Sequence, residues 1–319
     1  MAGGCGLKQR VVSVLAFLCY YCGVDRLFYW LNRKRKRIIT FHNVLPDAVY
    51  VDNLANGVSC SESEFKRIVD EIGRRFEFSV DLFDPATVTL TFDDGYLNQY
   101  EVAGRVLMDK GIGAILFAAG DLIDSKEPLV VDKLLHWTAY SPTVKDLRKK
   151  WITEIRPAYA KDAARGNGIF GQLNGEYPFS AIMESLPDEY VRLRLHGLTS
   201  EQIQDLKEHG WIVGWHTRSH FPLSSLTDDE IRAEVTPPPG FADTVFSYPY
   251  GEPLSVDERC VRIAEECGYP CAVSNHQGES RLSGRFFLPR MSLPANKHRL
   301  HFRLCGAEYF LKNGRLLPR

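Results

Sequence analysis

The sequence predicts an α/β protein in which a parallel β-sheet is covered by helices, either as an open sheet or as a closed barrel. Short apolar runs rich in β-branched and aromatic residues recur along the chain with little polar alternation, which is typical of strands buried on both faces. Helix-start and helix-stop signals separate these runs. The repeated alternation of strand and helix favours parallel strands with the helices outside.

Six of the apolar runs are predicted to be strands. They are Ile38–His42, Val88–Phe92, Ile112–Phe117, Trp211–Trp215, Thr244–Tyr248 and Pro270–Ser274. The second run leads directly into two aspartates, and a histidine follows the fourth. Both therefore place polar side chains at the carboxyl end of a strand.

Several helix starts and ends can be predicted from short sequence patterns. In a capping box, a Ser or Thr side chain satisfies a free backbone N–H, and a Glu or Gln three residues later reaches back to the cap. Four segments with this pattern begin at Ser61, Thr199, Thr227 and Ser255. Three helices are predicted to end at Gly111, Gly210 and Gly268.

One long segment interrupts the alternation. Between about Ser125 and about Leu198 there is no clear strand pattern, and tryptophans, basic residues and short helical patterns dominate. We predict a mainly helical insertion, at about residues 125–198, between two core strands. Insertions after the carboxyl end of a strand commonly build the substrate side of a site, so we expect this one to border the substrate cleft.

Composition limits the classes of function. The 319 residues are 45% apolar and 25% charged, as in ordinary globular proteins. The net charge of −1 provides no global attraction to nucleic acid, so we expect no nucleic-acid partner. The eight cysteines lie mostly within apolar patterns, which favours buried reduced thiols and a cytoplasmic location.

The N-terminus, residues 1–37, combines an apolar helix with a basic cluster. Residues 11–24 are almost wholly apolar, and five consecutive basic residues occupy 33–37. The run is short for a transmembrane helix, and no signal-peptidase site follows it. Residues 11–37 fit a peripheral contact with an anionic membrane surface, at the inner membrane face. A helix packed on the domain fits equally well, and export to the envelope through a signal-anchor stays open.

Two adjacent carboxylates follow the second predicted strand, in the segment Thr91–Gly95. Neighbouring side chains on a strand point to opposite faces, but a turn at Gly95 can bring Asp93 and Asp94 near one point. One carboxylate then suits a metal ligand, and the other suits a base that takes a proton from water. Alone, the pattern is more typical of a turn with a helix cap.

Two histidines four residues apart change that interpretation. His216 follows the fourth predicted strand, and His220 lies one turn later if the chain coils there. Both imidazoles can then face one ion. Two histidines and one aspartate leave coordination positions open, as hydrolytic metal chemistry requires. The sequence therefore predicts a hydrolytic divalent metal centre.

A third element is the segment Phe246–Gly251, where tyrosine, proline and glycine end a predicted strand. A tight turn there can expose a backbone N–H that stabilises an oxyanion. A purely structural turn explains the same residues equally well.

The segments Thr91–Gly95, His216–His220 and Tyr248–Gly251 resemble the first three motifs of the NodB-homology polysaccharide deacetylases, carbohydrate esterase family four. The similarity runs from about Ile38 to about Ala307, around the insertion, and leaves residues 308–319 as a tail. The resemblance implies a distorted (β/α) barrel of about seven strands. It also implies a metal-dependent hydrolase, with Zn²⁺ as the expected ion, that removes an N-acetyl group from a sugar in a poly- or oligosaccharide.

The resemblance also implies roles for single residues. Asp94, His216 and His220 would bind the metal. Asp93 would be the general base that activates water, and the backbone N–H of Tyr250 would stabilise the oxyanion.

The chain departs from the family pattern at an arginine. Phe246 or Ser247 stands where many members carry an arginine that orients the catalytic aspartate. Arg290 resembles the arginine that some members place on a late strand. We therefore expect Arg290 to support Asp93.

The general acid is the second departure, because the usual late Leu-x-His motif is not evident. His298 and His301 lie in a basic helical stretch and are expected at the surface. His42 ends the first predicted strand and resembles the first-strand histidine that biofilm poly-N-acetylglucosamine deacetylases use as acid. A histidine suits protonation of a leaving amine. We expect His42 in this role, with His276 as the alternative.

Three functions fit these observations. The leading hypothesis is a metal-dependent sugar N-deacetylase without an organic cofactor. A catalytically weak or inactive carbohydrate-binding protein on the same fold is the alternative, and a metal hydrolase for another amide or ester is the third. The N-terminus adds the hypothesis that the substrate is a lipid-linked saccharide used in cell-surface glycan assembly.

Overall fold

Seven parallel strands curl into a nearly closed barrel with helices around it. The computed structural model describes residues 3–50, 59–140, 168, 171, 175, 178–238, 245–252, 254–276, 282 and 284–318. The strands are β1 (Arg37–Phe41), β2 (Asn43–Leu45), β3 (Ser59–Ser61), β4 (Val88–Asp94), β5 (Ile115–Ala118), β6 (Ile212–Trp215), β7 (Val245–Ser247), β8 (Cys271–Ser274) and β9 (Leu288–Pro289). The barrel order is β1-β4-β5-β6-β7-β8-β9, and β2 pairs with β3 beside it.

Twelve α-helices lie in the described part of the chain. They are α1 (Gly3–Tyr21), α2 (Val24–Leu31), α3 (Glu62–Gly73), α4 (Arg105–Met108), α5 (Val130–Tyr140), α6 (Phe179–Glu184), α7 (Asp188–Leu195), α8 (Ser200–Glu208), α9 (Asp228–Val235), α10 (Glu258–Glu266), α11 (Lys297–Leu304) and α12 (Ala307–Asn313). A π-helical segment, Gln99–Gly104, runs directly into α4. The distorted (β/α) barrel of about seven strands is therefore confirmed.

Backbone hydrogen bonds just beyond β9 bring the two ends of the sheet together. The Met291 N–H donates to the Ile38 carbonyl at 2.9 Å, and the Thr40 N–H donates to the Met291 carbonyl at 3.0 Å. Apolar side chains fill the interior of the barrel, among them Ile38, Ile115, Phe117, Val245, Cys271 and Val273. A filled interior leaves the carboxyl ends of the strands as the natural place for chemistry.

The strand predictions are confirmed in place, with differences at their ends. β4 runs two residues further than predicted, to Asp94, and β5 begins at Ile115 instead of Ile112. Val245–Ser247 is narrower than the predicted Thr244–Tyr248, and Thr244 lies outside the described residues. Three short strands, β2, β3 and β9, were not predicted.

Three of the four predicted capping boxes are present, at Ser61, Thr199 and Thr227. The prediction at Ser255 is wrong, because α10 begins two residues later. Its cap is Asp257, whose carboxylate accepts from the N–H groups of Arg259 and Cys260. The expected helix ends at Gly111, Gly210 and Gly268 all have positive φ.

The insertion between β5 and β6 is helical where it is described, in α5, α6 and α7. Most of residues 141–177 lie outside the described residues. A buried ion pair joins two of the helices, because Arg194 of α7 donates to Asp132 of α5 at 2.6 Å.

The N-terminus forms two helices, where the sequence predicted one. Ala16 and Cys19 of α1 pack against Phe302 and Cys305 on and just after α11. His301 is fully buried and meets the Tyr29 hydroxyl at 2.9 Å, so the expectation that it lies at the surface is wrong.

No single helix among the described residues is long and apolar enough to cross a bilayer. The pair Arg10–Tyr21 and Val24–Leu31, bent by 86° at its junction, has sufficient length and apolar character only when both helices are taken together.

Gly214 lies where β6 is crowded by the barrel interior. A Cβ there would lie 2.6 Å from the Val245 carbonyl oxygen and 2.7 Å from Cδ1 of Phe117. We expect Gly214→Ala to lower the free energy of unfolding by about 1–3 kcal/mol, the usual effect of overpacking. Urea denaturation followed by circular dichroism measures this. Gly175→Ala is the control, because its Cβ would meet nothing within 4 Å. Equal stability of the two variants would contradict the packing described for β6.

Candidate metal centre and active site

The predicted site residues lie at the carboxyl ends of neighbouring parallel strands. Asp93 and Asp94 are the last two residues of β4, and His216 directly follows β6. Strands β4 and β6 both pair with β5, so their ends meet at one rim of the barrel. His220 and Tyr250 follow in the loops after β6 and β7.

Asp94, His216 and His220 form a compact cluster. Each offers one ligand atom, and these atoms lie within 4.8 Å of one another. Oδ1 of Asp94 is 3.2 Å from Nε2 of His220 and 3.6 Å from Nε2 of His216. All three side chains are buried.

The donor set of this cluster fits a divalent metal ion. Oδ1 of Asp94 is buried without a hydrogen-bond partner, although it lies between two imidazoles. Nδ1 of His216 is 2.7 Å from the Ser247 carbonyl oxygen, which leaves Nε2 directed at the cluster. A metal-binding histidine usually donates its other ring N–H in this way. Two imidazoles and one carboxylate are ligands that zinc accepts, with a position left open.

The protonation states of His216 and Asp94 agree with this role. For His220, burial disfavours the charged form, but the hydrogen bond and the negative charge of Asp94 outweigh it and raise the pKa. Burial lowers the pKa of His216 to about 4, so the imidazole is neutral at pH 7. Burial also disfavours the charged form of Asp94, but the nearby histidines outweigh it and hold the pKa of Asp94 below its usual value. A neutral imidazole and an ionised carboxylate are the ligand forms that a metal requires.

Strained backbone surrounds the cluster. Asp94, His220 and Tyr250 all have positive φ, at 83°, 60° and 62°. Such conformations are uncommon for residues with a side chain, and they cluster at functional sites because packing must impose them. The left-handed turn at Asp94 ends β4 and sets its carboxylate apart from that of Asp93.

Asp93 is held by a buried arginine. Arg290 follows β9, and its two terminal nitrogens donate to the two carboxylate oxygens of Asp93 at 2.7 and 2.6 Å. The same guanidinium donates to Oγ1 of Thr91 at 3.1 Å and to Oγ of Ser247 at 2.9 Å. Asp93 and Arg290 are both buried, so the pair is shielded from water.

Arg290 keeps the carboxylate of Asp93 ionised. Burial disfavours the ionised carboxylate, but the positive charge of Arg290 and its hydrogen bonds to the carboxylate outweigh burial. The pKa of Asp93 therefore lies below its usual value, and the carboxylate is ionised at neutral pH. A second, separately held carboxylate thus lies beside the candidate metal ligands.

His42 and His276 are the two candidates for the general acid. Nε2 of His42 lies 3.6 Å from Oδ2 of Asp93, and its side chain is 20% exposed. His276 lies two residues beyond β8, half-buried, at the same end of the barrel. His42 thus borders both Asp93 and solvent.

Tyr250 lies beside His220, in the loop after β7. Its ring contacts the ring of His220, with centroids 5.0 Å apart. The following Gly251 has a φ of 59°, and a Cβ there would lie 2.4 Å from the Asn275 nitrogen. The tyrosine-proline-tyrosine-glycine turn therefore depends on a glycine that lets two loops meet.

Sequence reasoning missed two polar residues that support the site. Ser247 was noted as a departure from the family, yet its hydroxyl contacts Arg290 and its carbonyl contacts His216. Gln99 is buried, and its amide donates to the carbonyls of His42, at 2.6 Å, and of Asp93. Its oxygen accepts from the Gly95 N–H at 3.2 Å. The only signal for Gln99 was its position shortly after the paired aspartates.

Comparison with known proteins agrees with this geometry. The family model described as polysaccharide deacetylase matches residues 83–272. YxkH of Bacillus subtilis (strain 168), named as a polysaccharide deacetylase, is 31% identical over 104 residues. That alignment covers 30% of this chain and 36% of YxkH, so the chain matches about a third of that relative.

Solved structures share the fold. The Streptococcus pyogenes deacetylase PplD, in complex with acetate, superposes with a TM-score of 0.54 at 15% identity, over 85% of this chain and 97% of that one. A de-N-acetylase from Aggregatibacter actinomycetemcomitans superposes with a TM-score of 0.50 at 10% identity, over 85% of this chain and 99% of that one.

The Asp93–Arg290 pair predicts how the free energy of unfolding changes with pH when the arginine is removed. Arg290→Met leaves a buried carboxylate unpaired, so we expect a loss of about 3–5 kcal/mol in the free energy of unfolding at pH 7. Without the cation, burial raises the pKa of Asp93, and the folded state then takes up a proton. The loss should therefore shrink as the pH falls from 7 towards 5. Urea denaturation at several pH values measures it.

Two controls accompany this variant. Arg290→Met combined with Asp93→Asn removes the unpaired charge, and we expect it to recover much of the stability and to lose the pH dependence. Arg218→Met, at an exposed arginine paired with Asp121, should change stability by less than about 0.5 kcal/mol. A loss at Arg290 that is independent of pH would show that the charge of Asp93 is not its cause.

Proposed function

This chain belongs to the polysaccharide deacetylase family, and we propose that it hydrolyses the N-acetyl group of a sugar residue in a poly- or oligosaccharide. One observation carries the proposal. A buried Asp94–His216–His220 cluster stands beside a second carboxylate, Asp93, that an arginine keeps ionised. A metal-ligand set and a separate base are the two requirements for hydrolysing an amide with activated water.

We propose that Asp94, His216 and His220 hold a divalent cation, with zinc the best match to the donor set. Such an ion polarises a carbonyl oxygen and lowers the pKa of water. The protein supplies the remaining groups. The Ser247 carbonyl fixes the ring orientation of His216, and packing against Tyr250 fixes that of His220.

Asp93 is proposed as the general base. Its carboxylate accepts a proton from the attacking water, and the two hydrogen bonds from Arg290 keep it ionised and oriented before the reaction. Ser247 and Thr91 hold the guanidinium in turn. Arg290 therefore acts as a positioning residue.

Two roles remain, stabilising the oxyanion and protonating the leaving amine, and we assign both to residues at the rim of the barrel. The backbone N–H of Tyr250 is proposed to donate to the oxyanion that forms when water adds to the acetamide carbonyl. His42 is proposed to protonate the departing amine, because it borders Asp93 and is partly open to solvent. The products are then acetate and a free amino sugar.

A joint measurement of metal content and acetate release tests this function. Wild type loaded with zinc should bind about one ion per chain and release acetate from N-acetylated oligosaccharides. His216→Ala should lose both, because one ligand is missing. Asp93→Asn should keep the metal and lose about 10²–10⁴-fold in kcat/KM, the usual contribution of a general base.

The outcomes separate the candidate functions. Metal binding without turnover of any N-acetylated sugar would favour a carbohydrate-binding protein on this fold, or a hydrolase for another amide or ester. Turnover that survives Asp93→Asn would remove the base assignment. The absence of metal binding in the wild type would overturn the central proposal.

We further propose that the protein is cytoplasmic and lies at the inner membrane face through α1 and α2, and that its substrate is a lipid-linked precursor of a cell-surface glycan. Large apolar side chains on these helices are exposed, including Val11, Val14, Phe17, Leu18, Tyr21, Leu27 and Trp30. Basic residues 33–36 follow α2 after Asn32, whereas Arg37 is fully buried. Exposed apolar and aromatic residues beside a basic cluster suit an anionic lipid surface.

Liposome flotation tests the membrane contact. The full chain should float with vesicles of phosphatidylcholine and phosphatidylglycerol, and more weakly with phosphatidylcholine alone. Leu18→Glu combined with Trp30→Glu should abolish flotation, since the two side chains are 49% and 59% exposed. Leu254→Glu, at a side chain 62% exposed on the loop after Gly251, is the matched control and should float like wild type. Flotation of the double variant at the wild-type level would exclude this surface.

A further inference from the structure

A cavity lies near the amino ends of β1 and β4, away from the rim that carries Asp94. Its volume is about 510 Å³, within the range of small-molecule sites. Its lining includes Ile38 of β1, Leu288 of β9 and Leu82 before β4, and also Arg290 and Met291 just after β9. The side chains of Ile38, Leu288 and Leu82 belong to the apolar interior of the barrel, so the inner wall of the cavity is apolar.

The cavity is also lined by unbalanced positive charge. Arg33, Lys34, Arg35 and Lys36 all lie along it, and among the described residues none of the four is paired with a carboxylate. The one carboxylate that lines it within the described chain is Glu308. Glu308 is already bonded to Arg303 and Lys312, which line the cavity too. The cavity therefore has a net positive charge beside an apolar wall.

Lys36 shows the effect of the excess positive charge in the cavity. Its ammonium is partly buried and donates to Oγ1 of Thr87 at 2.6 Å. Burial lowers the pKa of Lys36 to about 8, and the distant Asp84 and Asp81 offset burial only in part. An anion in the cavity would stabilise the charged form of this side chain.

The cavity adjoins the surface proposed to contact the membrane. Leu31, at the end of α2, forms part of its wall, and α2 leads through the basic residues into β1. Phe83, which is 48% exposed, also lines the cavity. An apolar wall, a cationic border and a neighbouring apolar helix surface match a molecule that has an acyl chain and an anionic headgroup.

We propose that this cavity binds one anionic phospholipid, with an acyl chain along Leu31, Ile38, Leu82 and Phe83 and the phosphate at residues 33–36. A free phosphate would use the cations but leave the apolar wall unoccupied. A zwitterionic lipid would use the wall but gain less from the cations. The candidate metal ligands lie at the other end of the strands, and Arg290, which lines the cavity, is also the residue that bonds to Asp93.

Calorimetric titration of the full chain with a monomeric short-chain lipid tests the proposal without a bilayer. Dioctanoyl phosphatidylglycerol, below its micelle concentration, should bind with a stoichiometry of one. Dioctanoyl phosphatidylcholine should bind at least tenfold more weakly, and inorganic phosphate should show no saturable binding. Equal affinity for the two lipids would overturn the role of the cations. Binding of phosphate alone would overturn the role of the apolar wall.

Matched variants locate the binding. Lys34→Gln combined with Arg35→Gln should weaken binding of phosphatidylglycerol roughly 30-fold, from two lost cation–phosphate attractions. Phe83→Glu should abolish it by placing a negative charge on the cavity wall. The controls are Arg218→Gln and Leu311→Glu, which change an exposed cation and an exposed apolar side chain that do not line the cavity.

The controls should bind like wild type, and all variants should retain the wild-type melting temperature. Wild-type affinity in both cavity variants would overturn the proposal. Because the lipid is monomeric, this result is independent of liposome flotation and of acetate release. Failure of lipid binding is therefore distinguishable from failure of the membrane contact or of the proposed catalysis.

Discussion

The buried ion pair between Asp93 and Arg290 is the constraint on which the site depends. A carboxylate without solvent access carries a large desolvation cost, and two short hydrogen bonds from a guanidinium offset it. Arg290 comes from the end of β9, beside the Met291 backbone that bonds to β1. Closure of the barrel and ionisation of the proposed base are therefore one structural event. A barrel left open between β1 and β9 would lose the counter-charge of Asp93.

The rim shows how the chain separates two adjacent carboxylates. A regular strand end would point Asp93 and Asp94 to opposite faces. The positive φ of Asp94 turns its carboxylate towards His216 and His220, while Asp93 stays inside the barrel against Arg290. Similar backbone strain at His220 and Tyr250 positions these two residues on the other side of the site. This strain persists because buried neighbours, such as Gln99 beneath the Gly95 turn, hold the backbone in place.

Much of this arrangement could be predicted from the sequence because its signals are local. Buried strands have continuous apolar runs, and parallel strands bring their carboxyl ends to one rim, so Asp93, Asp94 and His216 could be placed together. The two-residue β9 has no periodicity, and only its pairing with β8 defines it. Ser255 and Asp257 competed for one cap within a single segment, and the local pattern did not rank them. His301 was misplaced because its partner Tyr29 is 272 residues away.

The barrel separates its two ends by the length of its strands. β4 has seven residues, which at about 3.3 Å per residue places the rim with Asp94 roughly 20 Å from the start of the strand. Arg290, which lines the basic cavity, reaches into the barrel between these ends to bond to Asp93. If the end near the basic cavity lies at a bilayer, the catalytic rim faces away from it. A saccharide linked directly to a lipid would keep its first sugar at the membrane surface, out of reach of Asp93. The orientation therefore favours hydrolysis at sugars distal to a lipid, within a chain long enough to reach the rim.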